Sequence, residues 1–499
     1  MDRAIPAQRV RTLHSRPVNP AGHYVLYWMI AQRRTRWNFA LEHAVSLARD
    51  RRQPLLVLEP LRSDHRWANA RTHRFVMDGM LDNRARCERA GVGYHGYVEP
   101  APGEGRGLLE RLARDASSVV TDDWPSYFLP RMVAAVSERL PVRLELIDGC
   151  GLLPLTAAVR AFPSARGFRR HAHDRLITHL TAGPAPDPLA RANLQQFPGL
   201  PAEVLARWPG ELPELVTVRI DQTVAPVATH GGERAARKIL DHFLESGLDR
   251  YHEERNNLDD DASSGLSPYL HFGHISPHQI AWAVLDRTTW DPGRITPAAA
   301  GAREGFWGVP PGHENFLDQL LTWRELGFNM AAQRTEEHDQ YESLPEWARA
   351  TLDAHAGDER PHLYTEDELE QARTHDPLWN AAQRQLTREG RMHNYLRMLW
   401  GKKILEWTPS PRQALETLIE LNNRWALDGR DPNSYSGIFW TLGRYDRPWF
   451  PMRPIFGCVR YMSSASAMRK LRTAGYLARY ADGAEQASLF NHTTSAFVR

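Results

Sequence analysis

The sequence predicts an α/β Rossmann-like N-terminal domain with a parallel sheet, followed by a larger all-α domain. Up to residue 150, short apolar runs alternate with stretches in which apolar residues recur every three or four positions, as in strands joined by helices. After residue 230 the helical patterns take over, for example in ERAARKILDHFLESGLDRY. A segment rich in Pro, Gly and Ala separates the two patterns. We therefore expect a Rossmann-like domain at 20–150, a connector at 151–230 and an all-helical domain at 231–490.

Five apolar runs are the predicted strands of the sheet. They begin at Tyr24, Leu55, Gly93, Ser118 and Val142, with the sequences YVLYWMI, LLVLEPL, GYHGYV, SVVTDD and VRLELIDG. The intervening segments RWNFALEHAVSLARDR, THRFVMDGMLDNRARCERAG and GRGLLERLARDA have helical spacing. Because neither GxGxxG nor GxxxxGK[ST] occurs in this domain, nothing in it argues for a dinucleotide or a nucleoside triphosphate.

Composition excludes several classes of protein. The formal net charge of the 499 residues is only +2, so a nucleic-acid contact would need a local basic surface. The three cysteines, Cys87, Cys150 and Cys458, form no CxxC pair, so neither a disulfide framework nor a metal site is indicated. No stretch approaches the roughly 18 apolar residues of a membrane span, and the N-terminus has no apolar signal core. We expect a cytoplasmic protein without a membrane partner.

Two Ser-Pro pairs in SSGLSPYLHFGHISPHQI predict two helix starts. In each pair, Ser267-Pro268 and Ser276-Pro277, the serine hydroxyl would cap a helix whose first position is proline. Ser263, Ser264 and Gly265 precede the first start, and hydroxyls with free N–H groups can hold a phosphate. Taken alone, these residues favour ordinary capping over a phosphate site.

Tryptophan is as frequent as phenylalanine, at 16 residues each, which invites a search for redox or stacking roles. The segment RMHNYLRMLWGKKILEW reads as one helix, with Trp400 and Trp407 on nearly the same face and roughly 10 Å apart along its axis. Trp379 lies upstream in HDPLWNAAQRQ. Three indoles in neighbouring helices could pass an electron from the surface to a buried cofactor, although such tryptophans are more often plain core.

A polar turn in LNNRWALDGRDPNSYSGIFW supplies Asn422, Asp428 and Asp431 ahead of Trp440. A carboxylate held there can accept hydrogen bonds from a ring N–H or a ribityl hydroxyl, and a buried one would require a partner such as Arg397. An exposed, merely polar turn is an equal alternative from these residues alone.

Six segments together resemble the catalytic domain of the class II cyclobutane pyrimidine dimer photolyases, in that family's order. They are SSGLSPYLHFGHIS, FLDQLLTWRELGFNM, DPLWNAAQRQ, MHNYLRMLWGKKILEWTPSP, LNNRWALDGRDPN and RPIFGCVRYMSS. A weaker likeness extends to YVLYWMIAQRR in the N-terminal domain. The resemblance implies light-driven repair of UV-damaged DNA, in which excited, reduced FAD passes an electron to a flipped-out dimer. Such an enzyme is a carbon-carbon lyase.

In this family the helical domain holds a U-shaped FAD. The resemblance implies that its phosphate and ribityl region is lined by Tyr251, Ser263, Ser264, Gly265, Leu266 and Ser267. Arg397 would pair with Asp428 beneath the flavin, and Asp431 would face the pyrimidine side of its ring. Asn422 would approach flavin N5, where an amide can hydrogen-bond to more than one redox state.

The resemblance also assigns the electron relay and the lesion pocket. Trp400, Trp379 and Trp407 match the relay, with Trp400 nearest the flavin. The lesion pocket would include Trp323, Trp440, Tyr395 and Met398.

The chain departs from the family mainly at the expected lesion pocket. The family shows FLEEL where this chain has FLDQL, so the glutamate expected to contact the dimer is Gln319. A Gln can hydrogen-bond but cannot stabilise a dimer radical through proton transfer as a carboxyl can. GRYDRPWF also replaces a stretch with a Gly-Gly turn and a His-Asp pair. Two alternatives stay open: a cryptochrome-like blue-light photoreceptor, and repair of the pyrimidine-pyrimidone (6-4) photoproduct, with His313 and His393 as nearest histidine candidates.

The resemblance leaves the N-terminal domain as the place for an antenna chromophore. A deazaflavin is expected there rather than a folate. A monomer is the family-level expectation.

Overall fold

The computed structural model describes residues 4–14, 16–190, 192–260 and 262–483, so the last seven residues of the predicted helical domain, 484–490, lie outside the described part. The N-terminal part is a six-stranded sheet wrapped by helices. Its elements are β1 (Val10–Leu13), β2 (Tyr24–Trp28), α1 (Phe39–Asp50), β3 (Leu55–Leu61), α2 (Ala70–Arg89), β4 (Gly93–Val98), α3 (Leu108–Asp115), β5 (Ala116–Asp122), α4 (Leu129–Ser137) and β6 (Leu144–Ile147).

The sheet has the strand order β1-β6-β5-β2-β3-β4 and is parallel except for β1, which pairs antiparallel with β6. The central strand β2 is buried at all five positions, because helices cover both faces of a parallel sheet. In the register, Leu26 lies between Leu56 of β3 and Val119 of β5. All five predicted strands are present. The edge strand β1 was not predicted, since it is only four residues long and half-exposed to exposed throughout.

The segment after the sheet is partly helical. It contains α5 (Ala165–His173), α6 (Leu176–Thr181) and α7 (Ala202–Arg207). Phe168 and Leu176 of the first two helices are buried in the same apolar cluster as Leu240 and Phe243 of the helical part. The stretch up to residue 180 therefore packs as part of the helical core.

The helical part follows from residue 233 onward. Its helices are α8 (Glu233–Ser246), α9 (Tyr251–Glu254), α10 (Ser267–His271), α11 (Pro277–Asp286), α12 (Pro311–Asp318), α13 (Arg324–Gln333), α14 (Glu346–Ala354), α15 (Glu366–Glu370), α16 (Pro377–Glu389), α17 (Asn394–Trp407), α18 (Pro411–Trp425), α19 (Pro432–Thr441), α20 (Ser464–Lys470) and α21 (Ala474–Arg479). A π-helix, Gln319–Trp323, joins α12 to α13. Helix α19 packs against α13, α17 and α18, and this packing assembles the site described below.

Local capping explains where several of these helices begin. Ser276 caps α11 as predicted, its hydroxyl accepting from the backbone N–H of His278 at 3.2 Å. The same prediction is wrong for Ser267. Helix α10 begins at Ser267 itself, with Leu266 at the N-cap position and no side-chain cap. The Ser267 hydroxyl instead hydrogen-bonds to the carboxylate of Asp428, because a charged acceptor makes the stronger bond.

Within the described residues, no helix is both long enough and apolar enough to cross a membrane.

Candidate functional site

A buried ion pair joins α17 to the loop between α18 and α19. Arg397 Nη2 donates to Asp428 Oδ1 at 3.0 Å, and the two side chains are 18% and 11% exposed. Burial acts to raise the pKa of Asp428, but Arg397 and the Ser267 hydroxyl outweigh burial and keep that pKa below its usual value. The turn is therefore buried and charged, and the alternative of an exposed polar turn does not hold.

Asp431 links the same turn to α10. Its Oδ1 caps α19 by accepting from the backbone N–H of Asn433 at 2.8 Å. Its Oδ2 lies 3.3 Å from Nδ1 of His271, the last residue of α10. Burial lowers the pKa of His271 even though Asp431 acts to raise it. Two carboxylates three residues apart are thus held by different partners in one turn.

Asn422 lies on α18 and is 3% exposed. Its side-chain amide donates to Asn423 Oδ1 at 3.1 Å and to Ser434 Oγ at 2.9 Å. Asn423 Oδ1 also accepts from the backbone N–H of Arg430 at 2.9 Å, which ties the helix to the turn. Because both amide hydrogens of Asn422 are used, its Oδ1 is the group left to meet a ligand.

The predicted phosphate and ribityl residues line the approach to α10. Ser264 Oγ accepts from the backbone N–H of Leu266 at 3.4 Å, and Gly265 has a left-handed φ of +65°. Ser263 and Ser267 are exposed, whereas Leu266 is buried. Tyr251 lies on α9 with its ring edge-on to Phe243 and Phe316.

Of the three predicted relay tryptophans, Trp379 lies between the other two and contacts each of them. The rings of Trp379 and Trp400 are parallel to within 5° with centroids 6.5 Å apart, and Trp379 and Trp407 are 5.5 Å apart. All three are buried, with 0%, 2% and 1% exposure for Trp379, Trp400 and Trp407. The order along the chain of contacts is therefore Trp400, Trp379, Trp407. Trp407 does not itself reach the surface, because Tyr364 and His375 cover it at 5.4 and 5.3 Å.

Gln319 and Trp323 are the two ends of the π-helix, and both are half-buried. A π-helix is rare and is often found at functional sites, since its wider turn changes the direction of the side chains it carries. Gly327 on the following helix allows close packing, because a Cβ there would lie 2.5 Å from the Pro432 carbonyl oxygen of α19. Helix α13, which continues from the π-helix, is thereby packed closely against the helix that ends near Trp440.

Trp440 belongs to an alternating stack of cations and indoles, which we call the cation–indole ladder: Lys402, Trp440, Arg460, Trp449 and Arg447. Lys402 Nζ lies 5.1 Å from the centre of the Trp440 ring, and the guanidinium carbon of Arg460 lies 5.6 Å from the same ring centre. Arg460 and Arg447 lie 3.8 and 4.5 Å from the Trp449 ring. The sequence analysis identified GRYDRPWF only as a departure from the family pattern. The arginine and tryptophan two positions apart in this segment were the signal that could have predicted the stack.

Asp446 anchors the middle of the ladder. It accepts from Arg460 Nε at 2.9 Å and from Trp449 Nε1 at 3.2 Å.

Past Trp449 the chain turns outward, so that Phe450 and Met452 are 75% and 58% exposed. Tyr395 and Met398 of α17 are half-buried. The residues predicted for the lesion pocket therefore all retain exposed surface.

A cavity of about 560 Å³ lies at the carboxyl ends of β2 to β5, between the sheet and the helical part. We call it the inner cavity; its walls include Trp28, Leu58, Tyr97, Trp124, His271 and Arg430. Arg430 is buried and has a left-handed φ of +70°. Among the described residues, none offers a hydrogen-bond partner to its buried Nη2. Arg430 Nε donates to the carbonyl oxygen of Gly429 at 3.0 Å, so only part of its guanidinium is hydrogen-bonded. The cavity thus combines apolar walls with a few polar and charged groups, which is the composition of a ligand site.

No protein-family model matches the chain. Curated proteins named deoxyribodipyrimidine photo-lyase match most of it. The one from Methanothermobacter thermautotrophicus is 34% identical over 479 residues, covering 95% of this chain and 98% of its own. Those from Oryza sativa subsp. japonica and Potorous tridactylus are 34% and 33% identical and cover 94% and 90% of this chain and 89% and 80% of their own. A solved bacterial class III photolyase from Agrobacterium tumefaciens has a TM-score of 0.68 at 18% identity, covering 92% of this chain and 86% of that one.

The likeness to the solved structure defines the class of fold, a sheet domain joined to a helical domain as in photolyases. The relatives are similar in sequence over nearly the whole chain and therefore show the family. The chain belongs to the photolyase/cryptochrome family and is an enzyme of the deoxyribodipyrimidine photo-lyase type. The predicted fold class, family and enzyme type are confirmed. The class II assignment, the lesion, the chromophores, the monomeric state and the role of each residue stay predictions.

Proposed function

We propose that this chain repairs cyclobutane pyrimidine dimers in DNA by light, as a class II photolyase with FAD as its cofactor. The observation that carries the proposal is the buried turn in which Asp428 and Asp431 are held by Arg397 and His271 beside Asn422. When bound in reduced form, FAD supplies the light-driven electron that opens the cyclobutane ring and then returns. The relatives named above support the same reaction.

The polar groups of the turn fit a flavin. A carboxylate kept ionised by Arg397 accepts hydrogen bonds, which suits ring N–H groups and ribityl hydroxyls. Asn422 donates both amide hydrogens to protein acceptors, so its Oδ1 is left to accept from N–H at flavin N5, the form this atom takes on reduction. The exposed residues Ser263 and Ser267 lie on the approach to α10, where the phosphate and ribityl groups are proposed to bind.

The tryptophan chain supports a route by which electrons from an external donor would reach the flavin. Centroid separations of 5.5 and 6.5 Å place Trp407, Trp379 and Trp400 in contact from the covered end inward. Trp400 Nε1 donates to Gln383 Oε1 at 2.8 Å, so the innermost indole has a fixed position. We propose that these three residues re-reduce the flavin and take no part in the repair step itself.

The lesion pocket is proposed to lie between the π-helix and the cation–indole ladder. Trp323 and Trp440 would hold the flipped dimer, each aromatic contact contributing about 1–3 kcal/mol if it resembles stacking on ordinary bases. Tyr395, Met398 and Gln319 would complete the pocket. The exposed Arg447, Phe450 and Met452 at the outer end of the ladder suit contact with a phosphate backbone and a distorted base step.

The inner cavity is proposed to hold the antenna chromophore. Its walls are largely apolar and include the rings of Trp28, Tyr97 and Trp124, which suit a flat tricyclic ring better than an extended folate, and Arg430 on the same wall would contribute positive charge toward that ring. We therefore favour a deazaflavin. Mixing the purified protein with deazaflavin should give Arg430-dependent binding without loss of FAD; equal binding by Arg430→Met would argue against this placement.

The cryptochrome alternative is favoured by one observation, the amide at Gln319 where a carboxyl is expected. The (6-4) alternative gains no such support. His393 caps α17 through Nδ1, and His313 on α12 lies 3.7 Å from Asp249, so each has a local structural contact.

The experiment that tests the proposed function uses purified, chemically reduced protein and an oligonucleotide with one defined thymine dimer. The protein is illuminated with blue light or kept dark, and intact thymines are measured. Light-dependent recovery is expected. A matched oligonucleotide with a (6-4) photoproduct should stay unrepaired. If FAD-loaded protein repairs neither lesion, the photoreceptor alternative replaces the proposal.

A further inference from the structure

Lys402 on α17 is a buried cation directly behind the indole of Trp440. Its side chain has 0% exposure, and Nζ donates to the carbonyl oxygen of Thr441, the last residue of α19, at 2.6 Å. Nζ also lies 5.1 Å from the centre of the Trp440 ring. The charge is therefore held in one position relative to that ring.

Lys402 lacks the partner that a buried charge normally has. Among the described residues, no carboxylate lies within ion-pair distance of its Nζ, whereas the neighbouring Lys403 pairs with Glu406 at 2.7 Å. Arg460, on the same indole, is compensated by Asp446 at 2.9 Å. Burying an uncompensated charge is unfavourable, so a fold that keeps one spends stability on it. Capping α19 explains the contact with Thr441 but needs only a neutral donor.

We propose that Lys402 is a positioning residue of the lesion pocket, which holds the Trp440 indole and supplies the positive potential that stabilises the dimer once it has gained an electron. This inference rests on the proposed function. The dimer gains one electron, its two ring bonds break, and the electron leaves again; Lys402 keeps its protons throughout. A fixed cation acts most strongly where water is excluded and charge develops.

The state of Lys402 depends on its surroundings. Burial lowers its pKa to about 7, against the effect of Asp446, while Arg460 lowers it further. Asp446 and Arg460, both in the segment after α19, are the charged groups that act on it. Lys402 is therefore charged below pH 7 and neutral well above it, and the stabilising effect should follow that titration.

The test compares wild type with Lys402→Met, and with Lys238→Met as a matched change at an exposed lysine of α8. All are prepared with FAD. In the dark, affinity for dimer-containing and undamaged DNA is measured; under blue light, repair per absorbed photon is measured at saturating DNA from pH 6 to 9. Loss of the cation should reduce dark discrimination about threefold. It should reduce repair per photon about threefold to tenfold at pH 6.

Wild type should lose repair efficiency as the pH rises above 7, whereas Lys402→Met should show no such fall. A variant that melts earlier but keeps wild-type discrimination, yield and pH profile would show a purely structural lysine and overturn the inference. If Lys402→Met does not fold, Lys402→Gln takes its place, and wild-type discrimination and yield in that variant overturn the inference equally. Wild type without any dimer repair would instead reject the proposed function, and this role of Lys402 with it.

Discussion

Among single residues, Asp428 shows how a buried carboxylate stays ionised only because other side chains hold it. Its carboxylate is buried, which by itself favours the neutral acid, yet Arg397 and Ser267 keep it ionised. Ser267 does so by giving up the capping role that its position before a proline predicts. Asp431 differs in that it keeps its capping role: one carboxylate oxygen caps α19 and the other lies beside His271.

Trp400→Phe should separate cofactor reduction from repair. Removing the innermost indole interrupts the contact chain, so photoreduction of oxidised FAD should slow by about an order of magnitude, as when the one group performing a step is removed. Repair by chemically pre-reduced protein should be nearly unchanged. Trp282→Phe on α11 is the control, because Trp282 contacts Trp290 rather than the relay. Equal loss of both activities would make Trp400 a packing residue.

Gln319→Glu should improve repair. A carboxyl at this end of the π-helix offers the dimer a stronger, charge-assisted or proton-sharing contact, which should raise the repair rate about threefold to tenfold, or about 1 kcal/mol. The exposed Gln8→Glu serves as the matched control. Unchanged or slower repair would show that the amide is already adapted to the lesion this protein takes.

At the scale of the element, α17 brings several roles together because its faces meet different neighbours. Arg397 meets the loop after α18, Trp400 meets Trp379 of α16, and Lys402 meets the end of α19. Arg397 and Trp400 are three positions apart and so lie on neighbouring parts of one face, whereas Lys402 follows Trp400 by only two positions and lies on nearly the opposite side of the helix. The helix is thus a rigid frame for separate contacts.

Asp376→Ala should destabilise the element that carries Trp379. Asp376 caps α16 by accepting from the backbone N–H groups of Leu378 and Trp379 at 3.1 and 3.0 Å, and it also accepts from the Ser464 hydroxyl. Loss of this cap should lower the free energy of unfolding by about 1–2 kcal/mol in chemical denaturation. Asp241→Ala, on the exposed face of α8, should change it far less. Similar losses in both variants would contradict a specific cap.

At the scale of the whole molecule, the sheet and helical parts are joined by a buried carboxylate. Glu325 of α13 accepts from the backbone N–H groups of Leu152 and Leu153 at 2.6 and 3.1 Å. The neighbouring Arg324 donates to the carbonyl oxygen of Cys150 at 2.7 Å. These contacts attach the end of the sheet domain to the helix that follows the π-helix.

Glu325 should make stability depend on pH. Burial raises its pKa to about 7, so between pH 4.5 and 7 the folded chain binds a proton that the unfolded chain has lost. Its contribution is therefore complete below pH 4.5 and is lost as the pH rises through 7, with a slope of at most about 1.4 kcal/mol per pH unit. Glu325→Gln should remove this component, and the exposed Glu304→Gln should retain it.

Glu325→Gln should also cost stability at neutral pH. Its amide oxygen can replace one acceptor, but its N–H₂ group cannot accept from the second backbone N–H, which should cost about 1–3 kcal/mol. Denaturation curves at pH 5 and 7 distinguish the loss of the pH-dependent component from the loss of a hydrogen-bond acceptor. A pH dependence in the variant equal to that of wild type would assign it to other groups.

Most helices and strands can be predicted from local patterns in the chain. Five strands, the helical second part, the cap at Ser276 and the single helix through Trp400 and Trp407 all follow from patterns within about 20 residues, where periodicity and capping act. The residues alone offered Arg397 only as a candidate partner for a buried carboxylate, and the pair with Asp428 was implied by the family resemblance. The four-residue edge strand β1 escaped notice, since so short and exposed a segment carries little apolar signal.

Which distant residues meet depends on how the helices and the sheet pack together. Trp379 and Trp400 are 21 positions apart, Arg397 and Asp428 are 31 apart, and both separations say nothing about ring planes or bond lengths. The inner cavity, the cation–indole ladder and the burial of Lys402 without a carboxylate among the described residues likewise arise where separate elements pack. Local sequence sets the conformation of each element, but the electrostatic potential and the shape of a site depend on every element that faces it.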